Sequence, residues 1–499
     1  MKTYTPQIEE EIDCLQTMQT MQTGNIPYTI IMPPPNITGK LHLGHILNNT
    51  IQDILIRRAR KKGLNTTWIP GYDHASIATE AKIWKKLSIE GRHRRNTSKE
   101  EFLKECELWK EEYSFKIISQ LKRAGFSANW DKIRYTMDEE HLKLLYSTYN
   151  KLKEGGFIYK AIKLLPYDTK AQTFISAAET YIENNITYSE RTRTKIEFRE
   201  TEQLFIKMKE LCKPGIEKIK SGEIQMHPNI GGYANWFENI EDWCISRQLW
   251  WGQKIPDFEG TFDTWFSSWL WCAAPFKRNN LPSQIMISGQ DIAFFWIGRM
   301  IMANDFLKLP NPFEHIYFTG IMRDSKGEKF SKQLGNSPDI DELMKEYGAD
   351  SMRFSTIINH RPGTDSIWSK ELIIQGRKFC NKLWNINILL NLFIPDNIAS
   401  TLKQEKALQE AELSFTAKFN SFSILPPFDL QKDLTSIYNY IWQEFAGQLL
   451  ESCKKENHSK QINKAILKRI KELWLKCLSY LEPFMPFISK YLTDAQAAE

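Results

Sequence analysis

YTIIMPPPNITGKLHLGH, residues 28–45, is the stretch that decides the fold of this chain. Residues 28–32 are apolar and rich in β-branched side chains, which predicts a buried strand. Three prolines and Asn36 end that strand, because proline lacks the N–H that a strand donates. From His45 onward apolar residues recur at helical spacing, and residues 66–69 predict a second strand. The stretch therefore predicts a β-loop-α-β unit of a parallel sheet, with its loop at the edge where such sheets bind ligands.

Two histidines and two lysines in this chain suit one chemical task. His42 and His45 flank Gly44 at the start of the predicted helix, and Lys329 and Lys332 stand in a distant polar loop. Imidazole and ammonium donors cancel charge on phosphate oxygens, and a helix N-terminus also favours phosphate. Taken alone, the histidine motif is also explained as a chance tetrapeptide, and the lysine motif as an ordinary charged loop. Taken together and in this context, they predict activation of a carboxylate by ATP.

Length and composition bound the class of protein. At 499 residues, several domains with cores of their own are expected. The net charge of +6 supports a polyanionic partner only weakly. We see no leader peptide and no run of about twenty apolar residues, so we expect neither export nor membrane insertion. The eight cysteines are scattered without a CxxC pair, so we expect a reduced, cytoplasmic protein with no disulfide framework and no structural zinc.

Six ordered phrases of the sequence resemble those of class I aminoacyl-tRNA synthetases. The histidine and lysine motifs are similar to the HIGH and KMSKS signatures of that family, and the wording of the first phrase is similar to its valyl branch. The isoleucyl and leucyl branches share the scaffold and differ in that wording. The phrases occupy residues 33–45, 71–79, 242–252, 263–268, 289–296 and 379–385.

The resemblance implies a reaction and a set of site residues. It implies that ATP and L-valine form valyl-adenylate, which then esterifies tRNA-Val, with Mg²⁺ held mainly by the ATP phosphates. The implied catalytic residues are His42, His45, Lys329 and Lys332. The implied ATP-binding residues are these four together with Gly44, Gly289 and Asp291. The implied valine-binding residues are Pro35, Asn36, Asp73, Trp265 and Ile292.

Within the valine site, the resemblance assigns different tasks to different side chains. Asn36 and Asp73 would bind the α-amino group, because a carboxylate beside an ammonium supplies a charge-assisted hydrogen bond. Trp265 and Ile292 would form the walls of a pocket sized for an isopropyl group. Apart from the resemblance, ordinary core packing would be the simpler interpretation of Trp265. The role of His74 stays open between supporting the site and packing in the core.

We expect an α/β fold, a Rossmann-type parallel-sheet catalytic domain split by a short insertion and followed by an α-helical bundle. The stripe Ile466, Ile470, Leu473 and Cys477 predicts one helix of that bundle, with its lysines on a solvated face. The expected segments are a lead-in at 1–27, the first half of the catalytic domain at 28–160, a reduced connective insertion at 161–234, the second half at 235–320, a lysine-loop and stem-contact segment at 321–372, and an anticodon-binding domain at 373–499.

The departures from the family pattern are also informative. The stretch between Thr173 and Arg199 is too short for the editing domain of larger relatives, and we expect this chain to lack both that domain and the C-terminal coiled coil. Phe330 and Gln333 replace Met and Ser of the lysine signature, which keeps its charge. We expect a monomer. The alternatives are an isoleucyl-type synthetase and a non-catalytic tRNA-binding relative.

Overall fold

Two parallel β-ladders lie side by side at the centre of the molecule. The computed structural model describes residues 4–12, 24–176, 179–190, 192–229, 233–275, 282–330, 336–455 and 461–497. Five strands form the ladders: β1 (Pro27–Ile31), β2 (Asn65–Ile69), β3 (Gln225–His227), β4 (Ser283–Gly289) and β5 (Phe313–Thr319). β1 pairs with β2, and β5 pairs with both β4 and β3. The Ile31 N–H donates to Ser283 Oγ at 3.4 Å, so β1 and β4 bring the two halves together.

The first helix, α1 (Leu43–Lys61), crosses between β1 and β2 as the sequence predicts. Its apolar stripe is buried against the sheet, and Asp53 on its inner side is fully buried too. The guanidinium groups of Arg57 and Arg353 each lie 2.7 Å from that carboxylate. Burial raises the pKa of Asp53, but these two cations outweigh it and lower the pKa to about 2. Because Arg353 lies on the helix Ala349–Ile357, its ion pair with Asp53 joins α1 to that distant segment of the chain.

The insertion forms a long antiparallel ribbon. Its strands Ile158–Asp168 and Ile196–Ile206 pair along their whole length, with Ile158 opposite Ile206 and Asp168 opposite Ile196. A smaller hairpin, Thr180–Glu183 with Ile186–Ser189, fills the turn between them. The short strands Thr173–Phe174 and Trp243–Cys244 pair with the two sides of the ribbon.

The C-terminal part of the chain is helical. The predicted stripe of one helix is confirmed, because Ile466, Ile470, Leu473 and Cys477 are all buried within Lys464–Leu481. Its basic residues lie outside that buried face, which agrees with the amphipathic pattern. The α-helices of this part are Ile340–Tyr347, Ala349–Ile357, Lys370–Leu392, Leu402–Phe419, Leu430–Asn439, Glu451–Lys455, Lys464–Leu481 and Pro486–Ala497, with a π-helix at Tyr440–Leu450.

Residues 4–12 of the N-terminal lead-in dock on these helices. Tyr4 and Ile8 are buried, and the Glu9 carboxylate accepts the hydroxyl of Tyr4 at 3.0 Å. It also accepts the backbone N–H groups of Ala349 and Asp350, at the start of the helix Ala349–Ile357. A carboxylate at that position satisfies N–H groups that a helix leaves without partners. This segment is therefore part of the core, although its sequence is largely polar.

The remaining elements cover the two faces of the sheet and the insertion. The other α-helices are Ser76–Ile89, Lys99–Arg123, Glu139–Glu154, Met208–Lys220, Tyr233–Glu238, Thr264–Ser268 and Arg299–Phe306. A π-helix at Ala293–Gly298 precedes the last of them. Across the described ranges, we find no helix with both the length and the apolar character needed to cross a membrane.

Candidate active site

A cavity of about 500 Å³ opens at the carboxyl ends of β1, β4 and β5. It lies where ligands bind in open α/β sheets. Eleven of the twelve predicted site residues line it, and Lys332 lies outside the described residues. Those eleven are Pro35, Asn36, His42, Gly44, His45, Asp73, Trp265, Gly289, Asp291, Ile292 and Lys329. The two halves of the sheet thus bring together residues that are almost three hundred positions apart.

The two histidines are arranged by the start of α1. His42 is the N-cap, and its Nδ1 accepts the Gly44 N–H at 3.1 Å. His45 Nδ1 accepts the backbone N–H of His42 at 3.2 Å, and the two rings lie 3.8 Å apart between centroids. Because both Nδ1 atoms accept hydrogen bonds, each neutral ring carries its proton on Nε2. Backbone contacts therefore set both imidazoles as Nε2 donors, and a Cβ at Gly44 would meet the His42 ring at 3.0 Å.

The lysine loop also reaches the cavity, through Lys329 and Phe330. The Asp324 carboxylate accepts the N–H groups of Lys326 at 2.9 Å and Glu328 at 2.8 Å, which closes a tight turn. That turn brings Lys329 to the cavity, where its Nζ lies 4.0 Å from Asp291 Oδ2. Phe330 packs edge-on against Trp368 at 6.2 Å. An aromatic contact therefore occupies the position where the lysine signature has methionine, while Lys332 and Gln333 lie outside the described residues.

Asp73 is the buried carboxylate of the cavity. It lies beside Asn36 because the Asp73 N–H donates to the Pro35 carbonyl at 2.9 Å, and the Ile37 N–H donates to the Asp73 carbonyl at 3.0 Å. Burial raises the pKa of Asp73 to about 6, although its Oδ1 accepts the Ala75 N–H at 2.6 Å and the Thr264 hydroxyl at 2.9 Å. A carboxylate held this far from water favours a cationic partner.

Apolar and aromatic side chains close the same end of the cavity. Trp265 lies on the short helix Thr264–Ser268, whose N-cap Asp263 accepts the Trp265 N–H at 3.2 Å. Trp296 also lines the cavity, and its Nε1–H donates to the Ser268 carbonyl at 3.1 Å. Ile292 lines the cavity as well. The cavity thus combines three large apolar or aromatic side chains with the buried carboxylate of Asp73.

Thr264, Trp296 and Asn48 are among the cavity residues that sequence reasoning did not assign, and it left the role of His74 open. Thr264 and Trp296 line the cavity, and so does Asn48, whose Nδ2 donates to the Ile287 carbonyl at 3.0 Å. Thr264 and Trp296 lie within the sequence phrases at residues 263–268 and 289–296, so the family resemblance was the signal that pointed to them. His74 lies behind the cavity wall, bonded to Thr136 and Ser76 at 2.8 Å each. Burial lowers the pKa of His74 to about 3, so it is a neutral core residue.

The family model for tRNA synthetases class I (I, L, M and V) matches residues 7–261 and 257–369. The chain is a class I aminoacyl-tRNA synthetase. It is therefore an aminoacyl-tRNA ligase, the enzyme class that the two motifs predict. The valine–tRNA ligase of Bacteroides fragilis is 30% identical to this synthetase, over 94% of this chain and 76% of the relative. That alignment spans 669 residues, more than the 499 of this chain, so the relative carries segments that this synthetase lacks.

Two solved structures share the fold of this synthetase. The methionyl-tRNA synthetase of Mycobacterium tuberculosis bound by methionyl-adenylate matches with a TM-score of 0.72 and 16% identity, over 94% of each chain. The LeuRS of Agrobacterium radiobacter K84, in a ternary complex with tRNA, matches with a TM-score of 0.72 and 15% identity, over 98% of this chain and 87% of that chain. At these identities the likeness concerns the fold alone. It confirms a Rossmann-type catalytic domain followed by a helical one.

The described residues contain no group of three or more His, Cys, Asp or Glu side chains placed to hold a metal ion. The expectation of an enzyme without zinc stays a prediction.

Proposed function

We propose that this synthetase activates L-valine with ATP and transfers it to tRNA-Val. The observation that carries the proposal is the single cavity shared by the histidine pair, Lys329 and the buried Asp73. Phosphate-directed donors line one end, while a carboxylate and an apolar pocket line the other. An amino acid bound at the second end would present its carboxylate to a nucleotide bound at the first.

In the activation step, the valine carboxylate attacks the α-phosphorus of ATP and pyrophosphate leaves. The Nε2–H groups of His42 and His45 would donate to phosphate oxygens as charge builds on them, and Lys329 would neutralise the departing pyrophosphate. Magnesium would arrive with the ATP phosphates and share that neutralisation. Because the imidazoles are already oriented by backbone contacts, little reorganisation is needed in the transition state. In the second step, the terminal 2′-hydroxyl of the tRNA would attack the adenylate carbonyl.

The amino acid would be held by its charge and selected by its shape. Asp73 would pair with the α-ammonium, and the Asn36 side chain would add a polar contact. Trp265 and Ile292 would surround the isopropyl group. A tight pocket disfavours an amino acid with one extra methylene by about 10- to 200-fold. It disfavours an amino acid of equal size that carries a hydroxyl in place of a methyl by about a hundredfold, and the valyl enzyme is itself the example of that figure.

Amino-acid-dependent pyrophosphate exchange tests this proposal. Valine should support exchange, threonine should support it with a kcat/KM about a hundredfold lower, and isoleucine should be weaker than valine by a comparable factor. Faster exchange with isoleucine than with valine would favour the isoleucyl-type alternative. An absence of exchange with every amino acid would favour the non-catalytic tRNA-binding relative.

The small insertion leads to a second prediction, that this synthetase forms threonyl-tRNA-Val and cannot hydrolyse it. Between Phe174 and Ile196 the described residues form only a two-stranded hairpin, which offers no enclosed second site. Preformed threonyl-tRNA-Val should therefore decay at its spontaneous rate when the enzyme is added. A full-length valine–tRNA ligase is the positive control, and rapid enzyme-dependent deacylation by the present chain would contradict the prediction.

A further inference from the structure

Three buried charged side chains connect the insertion with the cavity wall. Glu179 belongs to the insertion, Arg247 follows the ribbon, and Asp263 precedes the helix Thr264–Ser268. They are 5%, 1% and 3% exposed, respectively. Arg247 Nη2 lies 2.9 Å from Asp263 Oδ2 and 3.4 Å from Glu179 Oε2, so one guanidinium nitrogen bridges both carboxylates. We call these three residues the insertion triad.

Each member of the insertion triad makes further hydrogen bonds on its own side. Glu179 Oε2 accepts the Ser176 N–H at 2.9 Å, which anchors it within the insertion. Arg247 Nη1 donates to the carbonyls of Cys244 and Ser246, at 3.0 Å each. Asp263 Oδ2 also accepts the Trp243 indole N–H at 3.0 Å. These contacts leave the triad little freedom to shift without moving main chain.

The far end of the triad reaches the amino-acid pocket through two adjacent residues. Asp263 Oδ1 caps the helix by accepting the Trp265 N–H, and Trp265 forms a wall of the cavity. Thr264, the next residue after Asp263, donates its hydroxyl to Asp73 Oδ1 at 2.9 Å. The Asp263 carboxylate is thus bonded to the backbone of one cavity residue, Trp265, and is next in sequence to Thr264, whose hydroxyl donates to Asp73.

We propose that Glu179 is a positioning residue for the amino-acid pocket, acting through Arg247 and Asp263. This inference rests on the proposed amino-acid site at Asp73 and Trp265. Arg247 lies between two carboxylates, and loss of the Glu179 charge leaves Asp263 as the one carboxylate of the triad that pairs with it. The cap of the helix Thr264–Ser268 then shifts, and Trp265 and Thr264 shift with it. The insertion would therefore determine how well the amino acid fits its pocket, in addition to any contact that it makes with tRNA.

The test is Glu179→Gln, assayed by pyrophosphate exchange on the full chain. Displacements of an ångström at a reacting group cost up to about a hundredfold, so a smaller shift should raise the KM for valine by about tenfold. The KM for ATP should stay within about twofold, because the hydrogen bonds of the triad lead to the helix Thr264–Ser268 beside the amino-acid pocket. The preference for valine over threonine should fall several-fold. Glu183→Gln is the matched control, since Glu183 is an exposed glutamate of the same hairpin.

Arg247→Lys and Glu179→Asp give independent arms if Glu179→Gln folds poorly. The lysine side chain carries a single nitrogen, so it cannot reproduce the arrangement in which Nη2 of Arg247 pairs with both carboxylates while Nη1 donates to the two carbonyls, and Arg247→Lys should show the same selective rise in the KM for valine. Glu179→Asp keeps the charge and should restore much of the preference. Equal changes in both KM values, or a lowered melting temperature with an unchanged valine-to-threonine ratio in all three variants, would overturn the inference. A wild-type enzyme that exchanges with another amino acid would instead contradict the proposed function, and the triad would then be tested with that amino acid.

Discussion

His45→Ala should slow valine-dependent pyrophosphate exchange by about a hundredfold or more, and Lys329→Ala should do the same. Each change removes one preorganised donor from the charge that develops on the phosphates, and such a donor is worth roughly 3 kcal/mol of barrier. His45 Nδ1 is already occupied by the His42 N–H at 3.2 Å, so its Nε2–H is the group that the substrate would lose. The loss should appear mainly in kcat, because the donors act on charge that grows in the transition state.

Matched controls separate chemistry from folding in this experiment. His93→Ala removes an exposed histidine, and Lys326→Ala removes an exposed lysine three residues before Lys329. Both controls should keep wild-type exchange rates. His45 takes part in the N-terminal cap of α1, so circular dichroism and the melting temperature should accompany its assay. Near-normal exchange in a folded His45→Ala or Lys329→Ala variant would refute the assignment.

Asp73→Asn should raise the KM for valine by about a hundredfold or more while leaving the KM for ATP nearly unchanged. Removing one partner of a buried charge pair typically costs about 2–5 kcal/mol of binding. Asparagine can still accept from the Ala75 N–H and the Thr264 hydroxyl, so the local hydrogen bonds are kept while the charge is lost. Exchange assays at varied valine and varied ATP measure the two constants separately. An unchanged KM for valine would contradict the assignment.

The wild-type enzyme should also show a pH dependence that originates from Asp73. Burial raises the pKa of Asp73 to about 6, and only the ionised carboxylate attracts the valine ammonium. The KM for valine should therefore be flat above pH 6 and rise by about tenfold for each pH unit below it. The Asp73→Asn variant should lack this rise. The KM for ATP across the same range serves as the control for general acid effects.

The same pKa shift sets the sign of the stability change in Asp73→Asn. A carboxyl group whose pKa is higher in the folded than in the unfolded state stabilises the folded protein at low pH. That contribution to the free energy of unfolding is lost as the pH rises from about 4 to about 6. At neutral pH the ionised Asp73 is therefore unfavourable for folding. We expect the free energy of unfolding of Asp73→Asn to equal or exceed that of the wild type, measured by urea denaturation at pH 7.5. A poorly binding but fully stable variant would identify Asp73 as a residue kept for binding.

The sequence by itself determined the β-loop-α-β unit and the amphipathic helices, because those signals are local. Apolar spacing specifies which face of a helix is buried, and the prolines after β1 end that strand wherever the chain folds. The buried stripe of Lys464–Leu481 and the start of α1 followed from these rules. The enzyme class followed from the resemblance of the two motifs to known signatures, and their donors suit the phosphoryl chemistry of that class. Trp265 and Ile292 entered only through resemblance, since an isolated tryptophan carries no local signal for a pocket.

Only the tertiary structure decided how distant groups alter one another. Burial raises the pKa of Asp73 while the hydrogen bond from Thr264, nearly two hundred residues away, lowers it, and no sequence window contains both groups. The Lys329–Asp291 approach and the bridge from Glu179 through Arg247 to Asp263 likewise join segments that meet only in the folded chain. Electrostatic and hydrogen-bond energies depend on distance and on exclusion of water, and both quantities are properties of the packed molecule.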